Sequence, residues 1–259
     1  MGLGEFPERL VRFHDYLEGP EFSYPGMFLE PRFDELNALT VAFVETTYPE
    51  GLDGAYVLAH SADPVEADQL VRSSAPLLRL QALASAAAGT GFYTYLSHGR
   101  AVDRGPSQGV MAAGELSGET LGGKPVEGAL FTSEASGQWP GPWHIYASAR
   151  AVHEPPWQLW NLWPAPEAAI LRISSAREWC EFVTRFPHET FAGLTPDWRA
   201  VARRWDAVSL DFVATAALDA VGFKYKGAVI APTFWGVPTT VWLSWEIATV
   251  KKSDLPRQF

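Results

Sequence analysis

Ile170-Leu171-Arg172-Ile173-Ser174-Ser175-Ala176-Arg177-Glu178-Trp179-Cys180-Glu181-Phe182-Val183-Thr184-Arg185-Phe186 is the stretch that decides the fold of this 259-residue chain. Ile170 to Ile173 is a short branched apolar run that ends at two serines, and it reads as a strand. Ser175 followed by Glu178 is a capping box, which satisfies the orphan amides that open a helix. Trp179, Phe182, Val183 and Phe186 then recur at i, i+3, i+4 and i+7, the apolar stripe of an amphipathic helix. Thr195-Pro196-Asp197 opens a second helix, with Trp198, Val201, Ala202 and Trp205 on its apolar face. Ala207 to Leu210 is again a strand. Strand, two helices and strand in succession predict an α+β fold.

Toward the C-terminus, Thr240 to Ala248 alternates at period 2 and predicts one long strand. Val241, Leu243, Trp245 and Ile247 take one face, while Thr240, Trp242, Ser244 and Glu246 take the other. Upstream, Phe92 to Ser97, Ala129 to Ser133 and Trp157 to Leu162 read as strands. Residues 99–128 are rich in Gly, Ser, Pro and charge and read as a long loop, with at most a short strand near Val110. Residues 1–88 read mostly as helix. One helix follows Pro31, with Phe33, Leu36, Thr40, Phe43 and Val44 on one face. Another starts at Asp63-Pro64-Val65-Glu66, breaks or kinks at Pro76, and resumes from Leu77 to Ala88 before Gly89. The expected organisation is a helical N-terminal region over 1–88 and an α+β domain over 89–259. Its sheet is expected to be mostly antiparallel or mixed.

Composition limits the function classes. The chain is 47% hydrophobic and 13% aromatic, which requires a folded core. Acidic residues outnumber basic ones 30 to 20, and no Lys/Arg-rich run exists, so a nucleic-acid partner is not expected. No apolar stretch approaches the ~18 residues of a membrane span, and Met1 to Glu8 lacks the basic and apolar regions of a secretory signal. A cytoplasmic location is the expectation. Cys180 is the single cysteine, so no intrachain disulfide or cysteine-based zinc site can form. His144 and His153 have no metal-ligand spacing, and no metal is expected.

Two sequence motifs fail on context. Gly118-x4-Gly123-Lys124 begins like a phosphate-binding loop, but Pro125 stands where Ser or Thr must hold magnesium. Gly105-Pro106-Ser107-Gln108-Gly109 matches a nucleophile elbow, yet the charged run Arg100 to Arg104 precedes it instead of a buried strand. Both read as loops. Trp143, Trp157, Trp160 and Trp163 could form a ring-stacking platform or pack beneath a proline-rich segment.

Two constellations carry chemistry. His98 and Arg100 leave one strand end, and Thr132 and Ser133 lie on another strand, an arrangement that can hold a nucleotide by charge and hydrogen bonds. Glu246, on the polar face of the last strand, could stabilise a ribosyl oxocarbenium ion as a glycosidic bond breaks.

The elements Phe131-Thr132-Ser133, Trp143-His144-x-Tyr146, the Trp179 helix, Pro196-Asp197-Trp198, Trp205-Asp206-Ala207-Val208 and Trp242-Leu243 together resemble a group of uncharacterised bacterial proteins. Their order over roughly residues 92–250 also resembles the ADP-ribosyltransferase fold, an analogy at the level of fold. The resemblance implies NAD as substrate, with no metal. His98 and Arg100 would hold the adenylate or pyrophosphate and Ser133 the nicotinamide ribose, with Thr132 beside it as a further cofactor-binding residue. Trp143 or Tyr146 would stack on nicotinamide, and Glu246 would assist catalysis together with His98. Relatives in that group carry acidic residues across the segment Trp235 to Thr240, where this chain has Gly236 and Pro238. The expected function is therefore an NAD-using ADP-ribosyltransferase or NAD glycohydrolase, its partner a small nucleotide or a protein acceptor. The alternatives are a non-catalytic acidic binding or immunity-type protein, and a small-molecule enzyme with a Trp-lined pocket.

Overall fold

The computed structural model describes residues 8–19, 34–46, 61–88, 93–98, 116, 120–121, 123–125, 128–136, 139, 141–149 and 157–253. These form an α+β fold built on a seven-stranded mixed sheet. Four helices come first: α1 (Glu8–Glu18), α2 (Asp34–Glu45), α3 (Pro64–Ser73) and α4 (Ala75–Ala88). Asp63 caps α3, accepting from the amides of Val65 at 2.7 Å and Glu66 at 3.4 Å, and Pro64 takes the first helical position. The break between α3 and α4 falls at Ser74, so Pro76 sits in the first turn of α4, where its missing N–H costs nothing.

The strands are β1 (Tyr93–His98), β2 (Thr120–Leu121), β3 (Lys124–Pro125), β4 (Leu130–Glu134), β5 (Trp157–Pro164) and β6 (Ile170–Ile173). They continue as β7 (Pro187–Thr190), β8 (Gly193–Pro196), β9 (Ala207–Leu210), β10 (Phe223–Tyr225), β11 (Ala228–Ile230), β12 (Thr239–Trp242) and β13 (Ile247–Lys252). Four further helices intervene: α5 (Pro142–Ala149), α6 (Ala176–Arg185), α7 (Trp198–Ala202) and α8 (Phe212–Leu218). The main sheet has the order β13-β5-β1-β4-β12-β9-β6 and is antiparallel except for the pair β6–β9. A second sheet, β10-β11-β8-β7, packs beside α6. The ribbon β2–β3 turns at Gly123, whose φ is +76°, where an added Cβ would meet Thr233 at 2.9 Å. That ribbon occupies the end of the phosphate-loop-like motif. The strand expected near Val110 and the elbow-like motif at 105–109 lie outside the described residues.

The capping box at the start of α6 forms as read: Ser175 Oγ accepts from Glu178 N at 3.1 Å, and Glu178 Oε2 accepts from Ser174 N at 2.7 Å. Asp68 of α3 takes the next two orphan amides, those of Ala176 and Arg177. Burial of Asp68 raises its carboxyl pKa despite those bonds. Asp197 caps α7 through Ala200 N at 3.0 Å.

One face of the sheet, with Val208, Leu210, Ile173 and Val241, packs on the helices, including Leu10 and Phe13 of α1 and Phe43 of α2. Trp179, Trp198 and Trp235 form an aromatic cluster there with Phe182, the Trp179–Trp235 centroids 5.9 Å apart. The opposite face carries a smaller core of Tyr93, Leu130, Leu162, Ala207, Trp242 and Ile247. Arg9 crosses the main core, bonding Asp219 at 2.8 Å, Gly236 O at 2.8 Å and Phe43 O at 3.0 Å.

The long alternating strand over 240–248 is corrected by the structure. β12 lies in the middle of the sheet, β13 at its edge, and residues 243–246 are irregular. Asp206 is the cause. Its carbonyl accepts from the amides of Leu243 and Ser244, and its carboxylate takes the Ser244 hydroxyl at 2.6 Å, turning the chain out of the ladder. Val241 consequently enters the main core and Ile247 the smaller one, although their spacing alone would place them together. Among the described residues, no helix is long and apolar enough to cross a membrane.

Candidate functional site

Residues named from the sequence occupy several places. His98 ends β1, its backbone opposite Trp157 of β5. Arg100 lies outside the described residues. Glu246 is not within a strand; it sits in the link before β13, where its carbonyl accepts from Ala165 N at 2.8 Å. Ile247 beside it pairs with Pro164, at the end of β5 nearest Tyr93, whereas His98 is five residues farther along β1. Ile247 faces Pro164 and His98 faces Trp157, at opposite ends of β5, so at ~3.3 Å per residue the backbones beside Glu246 and at His98 lie ~23 Å apart along the strands. The expected meeting of these two groups is corrected: the turn imposed by Asp206 carries Glu246 to the wrong end.

Thr132 and Ser133 are fully buried in β4. Thr132 Oγ1 accepts from Trp242 Nε1 at 2.9 Å and donates to Thr240 O at 3.3 Å. Ser133 Oγ accepts from Trp143 N at 3.1 Å, so it fixes the start of α5. Trp143 and Tyr146 stack edge to face at 6.0 Å and pack against Val44, Ile145 and Val237. Both are half-buried, as are Trp160 and Trp163. The fully buried indoles are instead Trp139, Trp179, Trp198, Trp235 and Trp242.

A cavity of about 190 Å³ lies where β6 and β9 end and β12 begins. Its polar wall includes Glu134, Arg172, Ser174, Ser209, Asp211 and Thr240; Trp139, Ile173, Phe212 and Pro238 are among its apolar lining. The position follows from the parallel pair: in mixed sheets, clefts form outside the carboxyl ends of adjacent parallel strands, where the chain leaves for helices. Here Ile173 leads into α6 and Leu210 into α8. Pairing in register sets Arg172 opposite Ser209 and Ser209 opposite Thr240, so all three share the sheet face that Glu134 and Tyr93 occupy.

Charges at the cavity are arranged by these neighbours. Arg172 Nη1 is ion-paired with Glu134 Oε1, and Arg172 Nη2 donates to Tyr93 Oη at 3.2 Å. Burial opposes the charge on Arg172, but Glu134 and Tyr93 outweigh it, and the pKa lies above the ordinary value. Burial, and then Glu134, push the Tyr93 phenol to about 12. Asp211 caps α8 through Ala214 N at 2.8 Å. Burial raises its pKa, against hydrogen bonds from Ala214 and Ser174, and the nearby charges of Glu178 and Glu134 push the same way. The cavity thus holds one ion-paired carboxylate and one that is a stronger base than an ordinary aspartate.

The sequence reading of single residues did not find Asp211 or Arg172. Asp211 had a signal, since an Asp followed by Phe-Val-Ala after a strand is an N-cap pattern. Arg172 had one too, as a lone charge inside a short strand. Among the described residues, no group of three or more His, Cys, Asp or Glu could hold a metal. Comparison with protein-family models, curated proteins and solved structures finds no match to this chain.

Proposed function

We propose that this cavity receives the glycosyl part of a small ribosyl compound, NAD or a simpler N-riboside, and that the protein breaks its N-glycosidic bond. The observation that carries the reading is the pair of carboxylates, Glu134 and Asp211, facing one small polar cavity in different environments. Unlike environments for two titratable groups are the usual basis for divided roles in glycosyl chemistry.

Positive charge develops on the ribose as the bond to nitrogen breaks, and the electron pair leaves with the base. Glu134, held by Arg172, supplies negative charge beside it. An oxygen of water or of an acceptor, nucleotide or protein, then bonds to the anomeric carbon and gives its proton to Asp211. The raised pKa suits Asp211 to that task at neutral pH. The volume is below the ~300–1,000 Å³ of drug-sized sites, so it admits the sugar and its near surroundings and not a whole dinucleotide. Pro238, Thr239 and Thr240 line the cavity. They belong to the segment in which the resemblance would seat an acidic residue. In this chain Asp211 and Glu134 supply the carboxylates from neighbouring strand ends.

The test is incubation with NAD and with nicotinamide riboside, measuring released nicotinamide. Asp211→Asn is expected to lower release by at least ~100-fold, in line with loss of a general base. No release by the wild-type protein from either compound, or unchanged release by Asp211→Asn, refutes the proposal.

A further inference from the structure

The hydroxyls of Thr240 and Ser209 face each other across β12 and β9 at 2.9 Å, 1% and 6% exposed, and both line the cavity. Two hydroxyls carry two hydrogens, and their mutual bond uses one. Among the described residues, neither hydroxyl has another hydrogen-bond partner; the Thr240 carbonyl is already taken by Thr132. Whichever hydroxyl donates within the pair, one O–H remains directed away from it. A buried O–H without an acceptor is costly, so a donor built into a cavity wall selects ligands that offer an acceptor there.

The register makes this donor rigid. Thr240 is hydrogen-bonded through its backbone between β4 and β9, and Ser209 lies between β12 and β6. Neither side chain sits on a loop. Arg172, opposite Ser209, is fastened by Glu134 and Tyr93, which leaves further N–H donors on its guanidinium next to the pair.

Resting on the cavity as a glycosyl site, we infer that the Ser209–Thr240 pair reads a ring hydroxyl of the bound sugar. The substrate class is then fully hydroxylated ribosyl compounds, to the exclusion of the deoxy sugar lacking that hydroxyl. Either hydroxyl of the ribose diol could meet this donor, so the experiment covers both.

NMR titration of the full-length protein with ribose, 2-deoxyribose and 3-deoxyribose tests it. Ribose is expected to bind about tenfold more tightly than one of the two deoxy sugars. In the double variant Ser209→Ala/Thr240→Val that preference falls to within about twofold, whereas either single variant keeps one unpaired O–H in the wall and retains a preference. Equal affinity of the wild-type protein for all three sugars, or no binding of ribose, overturns the inference. So does a preference that survives both substitutions. Selective ribose binding together with no nicotinamide release overturns the catalytic reading alone and leaves the diol site standing.

Discussion

Replacing Arg9 by Met removes the guanidinium from the middle of the main core while keeping most of the side-chain volume. In the native protein Arg9 is 1% exposed, bonds Asp219 at 2.8 Å, reaches the carbonyls of Phe43 and Gly236, and lies 3.9 Å from the Phe43 ring centre. Asp219, 4% exposed, would keep its charge in a site of low polarity, and two carbonyls would lose a donor. Breaking a buried pair from one side costs about 3–5 kcal/mol. Urea unfolding at pH 7, followed by tryptophan fluorescence, should show that deficit. Arg9→Met/Asp219→Asn should return to within about 2 kcal/mol of wild type, since both members of the buried ion pair are then replaced by neutral side chains. The reasoning fails if Arg9→Met lies within about 1 kcal/mol of wild type, or if the double variant is no more stable than the single one.

Three further outcomes are expected. Burial lowers the His144 pKa from 6.5 to about 4, so stability is intact above pH 6.5 and is lost as pH falls through 4, by up to about 3 kcal/mol; His144→Phe should flatten that limb of the stability profile, and parallel profiles would contradict it. The raised pKa of Asp211 acts in the opposite sense, costing stability as pH rises from the unfolded value through the folded one. Asp211→Asn keeps a capping side chain, so its melting temperature relative to wild type should increase between pH 3.5 and 7; a constant difference would show that burial of the charge is not felt. Trp242→Phe removes the donor to Thr132 and part of the contact with Tyr93, whose ring lies 5.4 Å away. A loss of about 1–3 kcal/mol in urea unfolding is expected, and an unchanged midpoint would remove Trp242 from the lesser core's supports.

The α+β class and the caps at Asp63, Ser175 and Asp197 were legible because each is a local device: a side chain satisfies amides two or three residues away. α5 and α8 were not. Trp and Pro crowd the first, and the second is Phe212 to Leu218, seven wholly buried residues in which an all-apolar helix and a strand look alike. The break at 243–246 was invisible for a different reason. It depends on Asp206, 37 residues earlier, and period-2 alternation cannot report that a remote carbonyl has captured two amides. The same break moved Glu246 away from His98. Thr132 and Ser133 were correctly placed on a strand, but sequence does not distinguish hydroxyls that face a cavity from hydroxyls spent on Trp242 and α5. Ser209 and Thr240, two strands of separation apart in sequence yet paired in register, meet only in three dimensions.

In the backbone ladder of the main sheet β12 joins two groups of strands: β13-β5-β1-β4 on one side and β9-β6 on the other. Thr132 and its partner Thr240 are 108 residues apart. At ~5–20 residues per second of synthesis, β4 leaves the ribosome roughly 5–20 s before the strand that will cover its edge. During that interval the nascent chain carries an open edge rich in Leu, Phe and Thr, a template for pairing between chains. Four residues, Thr239 to Trp242, therefore govern whether a newly made molecule assembles alone or joins its neighbours on the polysome.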